Sequence, residues 1–143
     1  MWKLFDAMMI IGTVGLGVCY VWARHLGHVT GWCDISDLVV HLPERILFRV
    51  NFSLVGGLLF MIAFPIHDVA ASRVGGAWPK VACAFQCLSG LGVITVGACG
   101  PEEIIAVHLA GAVVGFGGSA VAQIVYNFVF WAEDKATRPL SAS

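Results

Sequence analysis

The sequence predicts an all-α fold: an integral membrane four-helix bundle of up-down topology with both termini on the same, inner side. Composition is the first reason. Of 143 residues, 59% are hydrophobic and 12% charged, against about 45–50% and about 25% in ordinary soluble domains. Mean hydropathy is +0.87, so the polar groups are too few to cover a water-facing surface. The second reason is four apolar stretches, each within the range of about 17–25 residues that a helix needs to cross a bilayer or somewhat longer. The third is the short connections between the later stretches, which force neighbouring helices to run antiparallel. A soluble enzyme and a disordered adaptor are excluded. A formal net charge of −1 leaves no basic footprint for nucleic acid.

Residues 1–143 form a single membrane domain. Its first span is expected at about 7–23. Lys3 and the Val21-Trp22-Ala23 step also fit a signal peptide, but Asp6 is out of place in a signal's charged leader, and the segment is read as a helix. An outer loop follows at 24–49, then spans at about 50–66, 81–98 and 104–131, and a polar C-terminal tail at 132–143. The fourth span is long enough to tilt or protrude.

Orientation follows from the basic residues near the span ends. Lys3, Arg73, Lys80, Lys135 and Arg138 fall inside; Arg24, Arg45 and Arg49 fall outside, with the acidic corner Glu102-Glu103. Trp2, Trp22, Trp78 and Trp131 sit at span ends, where interfacial anchors belong.

Close backbone approach through small residues has to drive packing in lipid. The 17 glycines serve that end, including Gly12, Gly15 and Gly17 in the first span, Gly56-Gly57 in the second, and Gly90, Gly92 and Gly97 in the third. In the fourth, His108, Gly111, Ala112, Gly115, Ser119, Ala122, Gln123 and Tyr126 share one side at helical spacing. Ala106, Val113, Gly117, Val121, Ile124 and Phe128 lie opposite. The small, polar stripe is expected to face the bundle or a protein partner, and the bulkier one lipid.

His108 lies about one turn inside the outer boundary, where a hydrogen-bonded neutral imidazole and a proton or headgroup contact are both open readings. No span carries a central Asp or Glu, which argues against a pump. Cys33 and Cys99 fall on the outer side and form a candidate disulfide, with packing of all five cysteines as the alternative. Cys83 and Cys87 near His67 and Asp68, and His25, His28 and His41 near Asp34 and Asp37, are loose ligand groupings without a recognised spacing, so no metal site is assigned. No GxSxG, HExxH or GxxxxGK[ST] occurs, and no catalytic residue is expected. No cofactor is expected either, although a bound lipid is compatible with such a chain.

Ile35-Ser36-Asp37 is followed by Pro43-Glu44 and Phe48, and the fourth span reads His108-x-x-Gly111-Ala112 and then Phe116-Gly117. The chain resembles the Frag/DRAM/Sfk membrane family, whose DRAM branch carries an ISD…PE outer loop and an HxxGA…FG helix. The resemblance covers about residues 30–130 and implies structural or recognition roles for Asp37, Pro43, Glu44, His108, Gly111, Ala112 and Gly115. It implies a membrane protein of trafficking, autophagy or lipid handling in an endomembrane or lysosome-like compartment. Family members typically have six spans, so a four-span chain is expected to be a shortened relative or a recruited subunit. The alternative is therefore an accessory subunit of a respiratory or photosynthetic complex, in an organelle inner or thylakoid membrane, docking through its small-residue faces. Expected partners are membrane lipid and other membrane-protein subunits or further copies of the chain.

Overall fold

The computed structural model describes residues 2–31 and 35–137, with the side chains of the outermost residues and of a few in the 32–43 connection and at 101–102 excepted. Those residues are helical almost throughout. Helix α1 runs Trp2–His25, a 3-10 turn covers Ile35–Val39, α2 runs Glu44–Arg73 and α3 Trp78–Ala98. The last span is built of α4, Pro101–Ala112, a π turn at Val113–Gly117, and α5, Gly118–Thr137. Four stretches are long and apolar enough to cross a membrane.

The helices outrun the hydropathy signal that predicts them. Helix α2 has 30 residues, about 45 Å at 1.5 Å per residue, where the sequence predicts a span of 50–66 only. The outer loop accordingly shortens from the expected 24–49 to 26–43. Hydropathy stops at charges, but Glu44 and Arg49 are paired to other parts of the chain and do not interrupt the helix.

Helix α3 is the centre of the packing, flanked by α2 on one side and by α4, the π turn and α5 on the other. Two glycines two residues apart point about 200° apart on a helix, and α3 uses both directions. A Cβ on Gly90 would lie 2.7 Å from the Gly56 carbonyl oxygen of α2, and one on Gly56 would lie 2.6 Å from the Gly90 carbonyl oxygen. On the other side, a Cβ on Gly92 would lie 2.3 Å from the Gly115 nitrogen and 2.7 Å from the Gly111 oxygen. Backbones touch at both crossings, so no side chain fits between them.

The glycine-rich stretch at 115–118 is where the last span widens. A π turn loosens the regular carbonyl-to-amide pairing, and Ser89 of α3 donates its hydroxyl to the Gly115 carbonyl at 2.7 Å. Ser119 donates to Ser89 in turn, at 2.5 Å. The predicted inward stripe is buried or half-buried at His108, Gly111, Ala112, Gly115, Ser119, Ala122 and Tyr126. Gln123 departs from it: the side chain is exposed and donates to Asn127 at 3.2 Å. The buried arc is centred towards Gly118, Ala122 and Val129, which leaves Gln123 about 100° away from Ala122. Val113, Phe116, Ile124 and Phe128 are open on the far side, as a lipid-facing surface requires.

Helix α1 packs on α2 and the 3-10 turn. A Cβ on Gly15 would lie 2.2 Å from the Asn51 side-chain oxygen, and the Asn51 amide donates to the Gly12 carbonyl at 3.4 Å. Substitution by alanine should therefore split the glycines. Gly92→Ala is expected to destabilise by about 1–3 kcal/mol, the usual range for overpacking. Gly57→Ala, with nothing near its added methyl, should be neutral or slightly stabilising. Thermal unfolding in mild detergent checks both, and equal melting points would refute the backbone-contact account.

Candidate functional site at the connection end of the bundle

One end of the bundle gathers the end of α1, the 26–43 connection, the start of α2, the end of α3 and the start of α4. Its geometry begins with the stop signal of α1. Gly27 takes a left-handed φ of 74°, its amide reaches the Arg24 carbonyl at 3.2 Å, and the His28 amide reaches the Ala23 carbonyl at 2.9 Å. This is a Schellman ending, and it fixes the backbone of His28 against the helix it has just left.

His28 is thereby held over the first residue of α2. Its Nδ1 lies 2.7 Å from Glu44 Oε1; facing a carboxylate, Nδ1 is the donor. Glu44 is 1% exposed, a depth at which carboxylates are rarely found without partners. Cys19, Ala23, Leu38, Phe48 and Phe52 form the apolar cluster around the α1–α2 contact, and the Cys19 thiol approaches the Glu44 carbonyl at 4.0 Å. The second carboxylate oxygen, Oε2, is buried without a hydrogen-bond partner. Position favours the charge, because Glu44 stands at the helix N-terminus. The His41 ring lies against that of His28, their centroids 4.7 Å apart.

Farther round the same end, Arg49 of α2 donates to Glu103 Oε1 at 2.5 Å. The other oxygen of Glu103 accepts from the Gly100 amide at 3.4 Å, so one carboxylate caps α4 and ties it to α2. The backbone leaves helical geometry at Ile104 (φ −143°, ψ 87°), which sets this capping turn apart from the span proper. His108, 6% exposed, donates from Nδ1 to the Cys99 carbonyl at 2.7 Å, satisfying an acceptor at the C-terminal end of α3. His108 is thus hydrogen-bonded to the neighbouring helix α3.

The residues singled out in the sequence thus fall into three places. Asp37 is exposed in the 3-10 turn and Pro43 immediately precedes α2, in the connection that closes over Glu44. His108 joins α4 to the cap of α3. Gly111, Ala112 and Gly115 lie deeper: the two glycines are buried against Gly92, Val93 and Thr95 and Ala112 is half-buried, so this GxxxG step is occupied within the chain. Of the candidate Cys33–Cys99 pair, Cys99 is a free thiol at the end of α3, and Cys33 lies outside the described residues, as does Asp34. Among the described residues, no three His, Cys, Asp or Glu side chains are grouped to hold a metal; His67 pairs with Asp68 at 3.2 Å, away from this end.

The family model described as the Frag1/DRAM/Sfk1/Cwh43P N-terminal domain matches residues 1–140. No curated protein and no solved structure matches the chain.

His28→Ala strips the buried Glu44 of its partner and is expected to cost roughly 2–4 kcal/mol, below the about 3–5 of a fully buried pair because His28 is partly open. Adding Glu44→Leu should return much of that loss. A double-mutant cycle on thermal stability tests the coupling, and additive effects would show that the pair does not act as a unit.

Proposed function

Because the chain belongs to the family of the Frag1/DRAM/Sfk1/Cwh43P N-terminal domain, we propose that it is a non-enzymatic, lipid-handling membrane protein of the DRAM type. In this reading it acts in membrane trafficking or autophagy in an endomembrane or lysosome-like compartment. The up-down arrangement, with both termini on the inner side, is part of the same reading.

One observation carries the lipid-handling part. A groove of about 500 Å³ lies between the start of α3, Val74 just after α2, and α5; Trp78, Ile124, Val125, Phe128 and Val129 line the rest of it. Ligand sites are commonly concave, apolar and of this size, and here the walls are aliphatic and aromatic with an interfacial tryptophan at one end. An acyl chain fits such walls.

A second reading, an accessory subunit of a larger membrane complex, is favoured by a different groove. Gly17 leaves a dent on the open face of α1, lined by Val14, Val18, Val21, Trp22 and His25, and among the described residues nothing comes within 4 Å of a Cβ placed on Gly17. A partner helix can pack closely on such a dent.

Native mass spectrometry of the chain extracted in mild detergent from its own source separates the two. Lipid handling predicts a monomer or small homo-oligomer with retained lipid, and a severalfold loss of that lipid in Ile124→Trp, which fills the groove without touching the core. Recovery in a stoichiometric assembly with other chains establishes the subunit reading instead. A solitary chain that carries no lipid overturns both.

A further inference from the structure

We propose that His28 and His41 form an open binding site for a divalent transition-metal ion of the Zn²⁺ class, with the buried Glu44 as the carboxylate that orients His28. This inference stands independently of the lipid-handling reading.

The argument starts from the roles of the ring nitrogens. Nδ1 of His28 is spent on Glu44 Oε1 at 2.7 Å, so the lone pair is left on Nε2. A histidine whose other nitrogen donates to a carboxylate is the usual arrangement behind metal-ligating imidazoles, because the carboxylate sets the tautomer and raises the basicity of the ligating nitrogen. Glu44 is an unusual residue to hold at 1% exposure if its only task is to end a loop. Its Oε2 has no hydrogen-bond partner, so the carboxylate's negative charge adds to the attraction of a cation held by His28.

Spacing is the second line. Two imidazoles that share one ion through bonds of about 2.0–2.1 Å hold their ring centres roughly 4.5–5.3 Å apart in tetrahedral or square-planar geometry. The centroids of His28 and His41 are 4.7 Å apart. Access is the third. The His28 side chain is 30% exposed and His41 is exposed, so an ion can enter from the aqueous end without unfolding the junction. The backbone is fixed at both histidines: at His28 by the Schellman ending of α1, and at His41 by its carbonyl, which accepts from the Arg45 amide at 2.8 Å.

Ion class follows from the donors. Neutral imidazoles suit Zn²⁺, Cu²⁺ and Ni²⁺ rather than Mg²⁺ or Ca²⁺, which take oxygen ligands. Since no third protein ligand converges among the described residues, the remaining positions belong to water or an incoming group. That makes the site exchangeable, unlike a closed structural zinc.

Titration of tag-free, full-length protein in detergent micelles with Zn²⁺, followed by isothermal calorimetry, tests this directly. One ion per chain is expected, with affinity lowered at least tenfold in His41→Ala, whose exposed side chain can be removed without emptying the core. Glu44→Gln should weaken binding about 10–100-fold, the range for lost outer-shell carboxylates. His67→Ala, at the distant His–Asp pair, should bind as the parent does. X-ray absorption of the zinc-loaded protein should show a nitrogen and oxygen shell. The proposal is overturned by a folded parent that binds no zinc, by unchanged affinity in His41→Ala, or by a sulfur shell, which would assign the ion to the cysteines.

Discussion

Backbone contact along α3 is the constraint from which the rest of the bundle follows. Lipid gives apolar side chains no reason to leave it for a protein interior, so helices associate only where their surfaces fit closely. Gly90 and Gly92 let α3 meet a neighbour at contact distance on each side, and Ser89 between those directions is free to hydrogen-bond the Gly115 carbonyl of the last span. The π turn belongs to the same device. A run of glycines widens at little steric cost, and the Gly115 carbonyl of the widened turn accepts from Ser89, whose hydroxyl accepts from Ser119 in turn.

Polar groups follow a complementary logic at the connection end. Among the described residues, three polar ties gather at this end and reinforce the packing of the helices they join. Glu44 with His28 fastens the end of α1 to the start of α2. Arg49 with Glu103 fastens α2 to α4, and His108 fastens α4 to the end of α3. The three links run round the end of the bundle in sequence, so the spans are held at backbone crossings in the middle and by charged or polar ties at this end. At the other end small alanines, Ala70, Ala82 and Ala122, close the core around Tyr126 and Val129.

Much of this was legible in the amino-acid order. Four spans could be read from apolar length alone, and the inward face of the last span from its spacing, because 3.6-residue periodicity survives even a local π turn. Legibility failed where burial depends on a distant partner. Hydropathy places the start of the second span at 50, since Glu44, Arg45 and Arg49 look like loop; the partners of Glu44 and Arg49 at positions 28 and 103 show why these charges lie on a helix. Nothing local predicts that Glu44, named in the sequence only as part of the Pro43-Glu44 motif, is nearly inaccessible. A signal that could have found it is Gly27-His28, a helix-ending glycine followed by an imidazole, whose meaning needs the closed connection. Gln123 was misplaced for a smaller reason: at the edge of a stripe, the direction of the neighbouring helix decides which flank is covered.

The two kinds of contact also divide the spans by how firmly they are held. Helix α3 is gripped on both sides by backbone contact, and the last span shares that grip along much of its length. Among the described residues, helix α1 makes no such crossing with α3; it rests on α2 through Gly15 and Asn51 and is tethered at its end by His28 on Glu44. Any ligand that binds the outward face of His28 therefore acts on the tether of the one span that backbone packing secures least. A ligand that prefers the closed tether must, by linkage, stabilise α1 in place by the same free energy with which the closed tether favours the ligand.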